Sequence, residues 1–205
     1  MVTNGVVRSI ITAQKGLKRD TIVAQALELI AERGRPEISM RELAERLQIK
    51  TPSLYNHVKS LDDLLTSASE CAAARMKELL FSAKQGKYAD AAVYAVADAY
   101  RRFAKEQKGL YRLVMSSSGR MAEDGHPVAE AMVAPLVDLL SAYALDAERA
   151  IHWQRVLRSI MHGFVSLEEA GFFQRAAADA DQSYHLAIHA FLCGLREENG
   201  ANGHA

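Results

Sequence analysis

Apolar residues along the chain recur at three- and four-residue spacing, and no alternating strand pattern stands out. The sharpest stretch is 38–65. Ser39 followed three residues later by Glu42 is a capping box, which satisfies the amides left open at a helix start. Met40, Leu43, Ala44 and Leu47 then form one apolar stripe on a two-turn helix. Thr51 is placed to cap a second short helix, with Pro52 in its first turn, where a missing amide hydrogen costs nothing. Ser60 and Asp63 repeat the capping pattern at the start of a third. Helices this short are not stable alone. Small helices crossing at a sharp angle, with polar side chains left outward on the second, suit insertion into a DNA groove.

The same spacing predicts a first helix over 20–33, whose Ile22, Val23, Ala26, Leu27, Leu29 and Ile30 make a broad apolar face ended by Gly34 and Pro36. A long helix over 61–84 leaves the small module without a linker, so a tilt of this helix moves the module. Further helices are expected over 88–106, 110–116, 127–143, 146–170 and 179–196. Lys108 and Gly109 are read as a break, and residues 116–119 and 124–127 as the ends of a loop. The predicted fold is all-α: a flexible basic arm (1–17), a three-helix DNA-binding domain (18–65, helix-turn-helix about 39–58), a larger helical domain (66–196) and a disordered tail (197–205).

Residues 51–59, from Thr51 through Leu54, Tyr55, His57 and Val58 to Lys59, with 41–47 before them and 61–65 after, resemble the tetracycline-repressor (TetR) family of bacterial transcription regulators. Trp153 with His162 and Gly163 is similar to the Trp/His-Gly signature of one C-terminal subfamily. Two positions depart from the family pattern. Gln48 stands in the turn where Gly is usual, at a cost on the order of 1 kcal/mol if left-handed, and Leu61 stands where a second Lys is common.

The resemblance implies that Arg41, Thr51, Pro52, Ser53 and Asn56 face base edges, while Tyr55, His57 and Lys59 hold phosphates. Leu54 and Val58 are expected in the core. The resemblance also implies a homodimer on a palindromic operator, joined through 146–170 and 179–196. On the last of these, Tyr184, Leu186, Ile188, Phe191, Leu192 and Leu195 offer more apolar surface than one intramolecular face needs. A small-molecule effector follows as well. Candidate lining residues are Cys71, Met76, Tyr94, Tyr100, Phe103, Leu110, Tyr111, Met115, Leu136, Trp153 and Phe164, an apolar set that suits a hydrophobic ligand but that core packing explains equally.

Charge adds support. The net charge is zero, yet residues 1–60 hold ten Lys and Arg against six Asp and Glu, and residues 61–205 hold fifteen against nineteen. A basic head on an acidic body suits phosphate binding. Within the first nineteen residues Arg8, Lys15, Lys18 and Arg19 meet no acid.

With 205 residues and 49% hydrophobic content, the chain can bury a sizeable core. No run of about eighteen apolar residues suggests a membrane span, and the first twenty residues lack a signal-peptide core; the cytoplasm is the expected location. Cys71 and Cys193 are too few and too far apart for a disulfide framework.

His185, His189 and Cys193 line one helix face at a spacing that suits zinc, but a fourth ligand is not evident, so no metal or other cofactor is expected. Glu123 and His126 have a di-iron spacing in the wrong setting, a loop with no second copy. The competing functions are a helical enzyme or metal-binding bundle, which no nucleophile–base pair or phosphate loop supports, and a helical interaction module that has lost DNA binding. The leading expectation is a ligand-responsive transcriptional repressor, not an enzyme.

Overall fold

The computed structural model describes residues 17–120, 126–174 and 178–202. Among the described residues the chain forms α1 (Arg19–Arg33), α2 (Met40–Leu47), α3 (Thr51–Leu54), α4 (Leu61–Lys84), α5 (Ala89–Glu106), α6 (Lys108–Arg120), α7 (Pro127–Leu140), a 3-10 turn (Ser141–Tyr143), α8 (Ala147–Glu169) and α9 (Ala180–Asn202), with no strand. None of these helices is by itself long and apolar enough to cross a membrane.

Local signals account for the first part of the chain. The α1 apolar face is buried in full. Gly34 closes the helix at φ +67°, and its amide returns to the Ile30 and Ala31 carbonyls. Ser39 and Glu42 form the reciprocal capping box that starts α2. Gln48 does take the left-handed conformation, at φ 57° and ψ 39°. The amides of Gln48 and Ile49 then reach the Glu45 and Ala44 carbonyls at 3.1 and 3.0 Å, so two last-turn carbonyls are satisfied in return for the strain. Ile22, Leu27, Ile30, Leu43, Leu54 and Leu64 meet in the centre of this head. Each such burial contributes roughly 1.5–3 kcal/mol.

α4 spans both parts without interruption, 24 residues or about 36 Å. Its buried Ala68, Ala72 and Ala73 let neighbouring helices approach closely, and Met76 and Leu80 fill the space beyond them. α5 is pinned to the last two long helices by one buried cation. Arg101 donates to both Glu168 oxygens at 2.8 and 2.7 Å, pairs with Asp181 at 2.8 Å, and lies over the Phe164 and Tyr184 rings. The Tyr184 hydroxyl donates to the Ala97 carbonyl at 2.8 Å.

The structure corrects the sequence reading in several places. α6 begins at Lys108, so the only non-helical residue between α5 and α6 is Gln107. Gly109 is therefore not a breaker. A Cβ there would lie 2.1 Å from the Ile30 carbonyl oxygen and 3.0 Å from the Arg35 amide nitrogen, both backbone atoms of the head. Residues 116–119, expected to open a loop, belong to α6. The rest of that loop, residues 121–125, and the arm at 1–16 lie outside the described residues. α9 continues through Asn202, so residues 197–202 are helix rather than tail, while 203–205 lie outside the described residues. The apolar surplus on α9 also shrinks. Tyr184, Ile188, Phe191, Leu192 and Leu195 are buried within the protomer, and Leu186, 67% exposed, is the one of the six left outside.

The Gly109 contact gives a stability prediction. Gly109→Ala should lower unfolding free energy by about 1–3 kcal/mol despite the better helix propensity of Ala, because backbone must move to admit the methyl group. Chemical denaturation of the variant beside the native chain checks this. Equal stability of Gly109→Ala and the native chain would show that α6 does not bear on α1.

Candidate nucleic-acid interface

α3 is a single helical turn, followed by the turn Tyr55–His57. Its N-cap is Lys50, which makes no side-chain cap, and Thr51 is the first helical residue. The expected Thr51 cap is thereby corrected: the backbone carbonyl of Lys50 receives the Ser53 amide at 2.9 Å instead. Pro52 sits at the second position, where no amide is needed. Leu54 and Val58 are buried, as expected, and they anchor the turn to the head. This burial turns Pro52, Tyr55, Asn56 and Lys59 outward, with Thr51, Ser53 and His57 half-buried beside them. Tyr55 is 53% exposed, so its ring is not spent on core packing. Among the described residues, the side chains of Tyr55, Asn56, His57 and Lys59 make no hydrogen bond or ion pair with the protein. Arg41 is exposed on α2 and holds Glu45 one turn along at 2.9 Å.

A clamp absent from the sequence reading positions this surface. Arg19, one of the cations that meet no acid within the first nineteen residues, opens α1 and donates to both carboxylate oxygens of Asp63 at 2.9 and 2.8 Å. It also donates to the His57 carbonyl at 3.1 Å and the Ser67 hydroxyl at 2.8 Å. Ser60 caps α4 through the Asp63 amide, but the Asp63 carboxylate turns back to the Lys59 amide at 2.8 Å. The end of the turn after α3 and the starts of α1 and α4 are thus held on one carboxylate. No local pattern could have revealed a pair 44 residues apart.

Arg19 first, and then the Lys59 amide, hold the Asp63 carboxyl down at about 2. Arg33, and then the Ser39 hydroxyl and amide, do the same for Glu42, also to about 2. Arg46 likewise joins α2 to α1 through Glu28 and Glu32.

In the body, Met76, Tyr100, Phe103, Leu110, Tyr111 and Leu136 are core residues. Tyr94, Met115, Trp153 and Phe164 are partly buried against that core, and Cys71 is exposed. The Tyr100 and Tyr111 hydroxyls meet at 3.1 Å, and Tyr111 reaches His162 Nδ1 at 2.6 Å. Burial, and then Arg158, lower the His162 pKa. None of these candidates lines either of two open hollows. One, of about 590 Å³, lies between head and body, and the other, of about 440 Å³, lies between α7 and α8. Trp153 donates to Glu198 at 2.6 Å and packs on Gly194, where a Cβ would sit 3.2 Å from the indole.

The possible zinc face is taken up by neighbours. His185 bonds Asp98 at 2.8 Å, His189 contacts the Tyr94 hydroxyl at 3.3 Å, and Cys193 contacts His189 at 3.5 Å. No group of three metal-ligating side chains forms among the described residues. His126 caps α7 through the Val128 amide, and Glu123 lies outside the described residues.

Residues 22–68 match the family described as bacterial regulatory proteins, tetR family, and residues 93–191 match the tetracyclin repressor-like C-terminal domain. The second match contains Trp153, His162 and Gly163. An uncharacterized HTH-type transcriptional regulator of Mycobacterium tuberculosis is 34% identical over 80% of this chain and 76% of its own. Apo ActR from Streptomyces coelicolor superposes with a TM-score of 0.70 at 20% identity, covering 93% of this chain and 100% of that one. ActR in complex with actinorhodin superposes with a TM-score of 0.66 at 19% identity, over 91% and 100% of the two chains. These two structures speak for the fold.

The Asp63 clamp has a pH consequence. Both carboxyls lie below their ordinary values near 4, so the stability they contribute is present above about pH 4 and is lost as pH falls through about 2. Asp63→Asn should lower the melting temperature at pH 7, and the gap from the native chain should narrow as the pH falls toward 2. Thermal melts across pH check this; a constant gap would show that Asp63 acts other than through its charge.

Proposed function

Because the chain belongs to the TetR family of bacterial transcription regulators, we propose that it is a ligand-responsive repressor that binds a palindromic operator as a homodimer in the cytoplasm. The observation that carries the reading is the outward row on α3 and its following turn. Pro52, Tyr55, Asn56 and Lys59 are exposed because Leu54 and Val58 are buried. In the major groove, Asn56 pairs with an adenine edge, Thr51 and Ser53 exchange hydrogen bonds with bases, Pro52 touches a thymine methyl, and Arg41 reaches a guanine. Tyr55, His57 and Lys59 hold phosphates and set the register.

The second copy docks on α8 and α9. Ile151, Val156, Leu167 and Leu186 are exposed there. Gly163 sits within α8, and among the described residues nothing beyond its own stretch of helix comes within 4 Å of its would-be Cβ. A mid-helix glycine costs about 1 kcal/mol relative to Ala, and close approach of a partner helix is a reason to keep it. One reading head alone has limited specificity; two held at a fixed spacing read both half-sites. Repression is released when a small molecule alters that spacing, a reading supported by ActR having been solved with actinorhodin bound.

Footprinting the purified protein on DNA flanking its own gene should give a palindromic footprint, and a single compound should release it. Asn56→Ala should weaken operator binding by about 1–3 kcal/mol and relax specificity at one base pair. Lys59→Ala should weaken all sequences alike and reduce the salt slope by about 1. Unchanged footprints in both variants would overturn the groove assignment. Gly163→Leu should give a folded monomer with weakened operator affinity by sedimentation and anisotropy, and a dimer of native affinity would move the interface elsewhere.

A further inference from the structure

The hollow of about 590 Å³ opens where the head meets the body. Pro36, Glu37 and Ile38, between α1 and α2, form one wall, and the first two turns of α4 form another with Leu61, Asp62, Leu65 and Thr66. α6 closes it with Leu113, Ser116 and Ser117. Ile38 and Leu113 are buried and line an apolar interior. Ser117 is only 5% exposed, and its hydroxyl, without a partner among the described residues, borders the space. At the rim, the carboxylates of Glu37 and Asp62 are exposed and make no ion pair or hydrogen bond among the described residues. This contrasts with Asp63 and Glu42 close by, which are both paired.

An apolar interior, one hydroxyl on its wall and two unpaired carboxylates at the mouth select an amphipathic organic cation. The apolar body fills the hollow and the ammonium head stays at the rim, while an anion of the same shape is repelled. A hollow of this volume lies in the range that holds drug-sized molecules. We propose that this joint is a binding site for lipophilic organic ammonium ions, and that occupying it biases the angle between head and body and hence operator affinity. The second half rests on the repressor reading above. Its physical basis is that the walls belong to both parts, so a ligand touching both binds one head angle better than another. The site is separate from the aromatic interior of the body.

Three dansyl compounds with one fluorophore and different charge test it: dansylcadaverine (cation), dansylamide (neutral) and dansylglycine (anion). Fluorescence titration of the intact protein should give dansylcadaverine at least tenfold tighter binding than dansylglycine. The double variant Glu37→Gln/Asp62→Asn, altered only at exposed positions, should lose that preference and leave dansylamide binding unchanged, with circular dichroism confirming the fold. Equal binding of cation and anion, or a preference that survives the double variant, overturns the site whatever the protein does with DNA. Operator titration with and without dansylcadaverine should show a shift of threefold or more in the native protein and none in the variant. Cation binding with no shift overturns the coupling and leaves the site standing. Failure to bind any operator overturns the repressor reading and leaves the fluorescence result intact.

Discussion

The carboxylate of Asp63 is the point on which the head depends. It receives two hydrogen bonds from Arg19 and one from the Lys59 amide, at the first turn of the helix that runs on into the body. One turn of α-helix is far too short to persist by itself. α3 persists because Leu54 and Val58 are buried and because Arg19 also takes the His57 carbonyl. The same guanidinium therefore fixes the end of the turn after α3 and the start of α4 at once. Any rotation of α4 about this point carries Tyr55, Asn56 and Lys59 with it.

A second fixed point lies at the other side of α1. Gly109 lets the first turn of α6 rest directly on the Ile30 carbonyl, at a separation no side chain permits. Arg112, one turn on, donates to the Gly34 carbonyl at 3.2 Å and pairs with Glu169 of α8 at 2.7 Å. The head is thus gripped at the α1 start through α4 and at the α1 end through α6. A change in the body that shifts α6 relative to α4 exerts a torque on α1. Two close-packed contacts at opposite ends of one helix convert a small displacement into a tilt, since packed interfaces switch rather than deform smoothly.

What was legible in the sequence is what depends on neighbours within one turn. Ser39 with Glu42, Gly34 and the bounds of α4 are decided by local hydrogen bonding, and the chain carries the residues that chemistry demands. Gly109 was read wrongly because a glycine kept for close approach and one that ends a helix look alike until the opposing backbone is known. Arg19 was read as a free charge because its partner is remote in sequence. On α9, periodicity showed the extent of apolar surface, but only the positions of α5 and α8 decide that Tyr184, Ile188 and Leu192 belong inside the protomer. Thr51 in place of Lys50 as cap was a one-residue slip of the kind that helix ends invite.

The charge of the head also looks different once pairs are assigned. Arg19, Arg33, Arg41 and Arg46 are all held by carboxylates. Lys18, Arg35, Lys50 and Lys59 form no ion pair among the described residues, so the net positive balance of residues 1–60 says less about phosphate contacts than the list of unpaired cations does. Arg41 is the informative exception. Its pair with Glu45 is exposed on both sides and spans one helical turn, so solvent screens it. Arg41 is therefore loosely held and able to exchange partners, whereas Arg19 is fixed by several, including a backbone carbonyl. Pairing within the protein thus separates an arginine able to change partners from one that holds the turn after α3 in place.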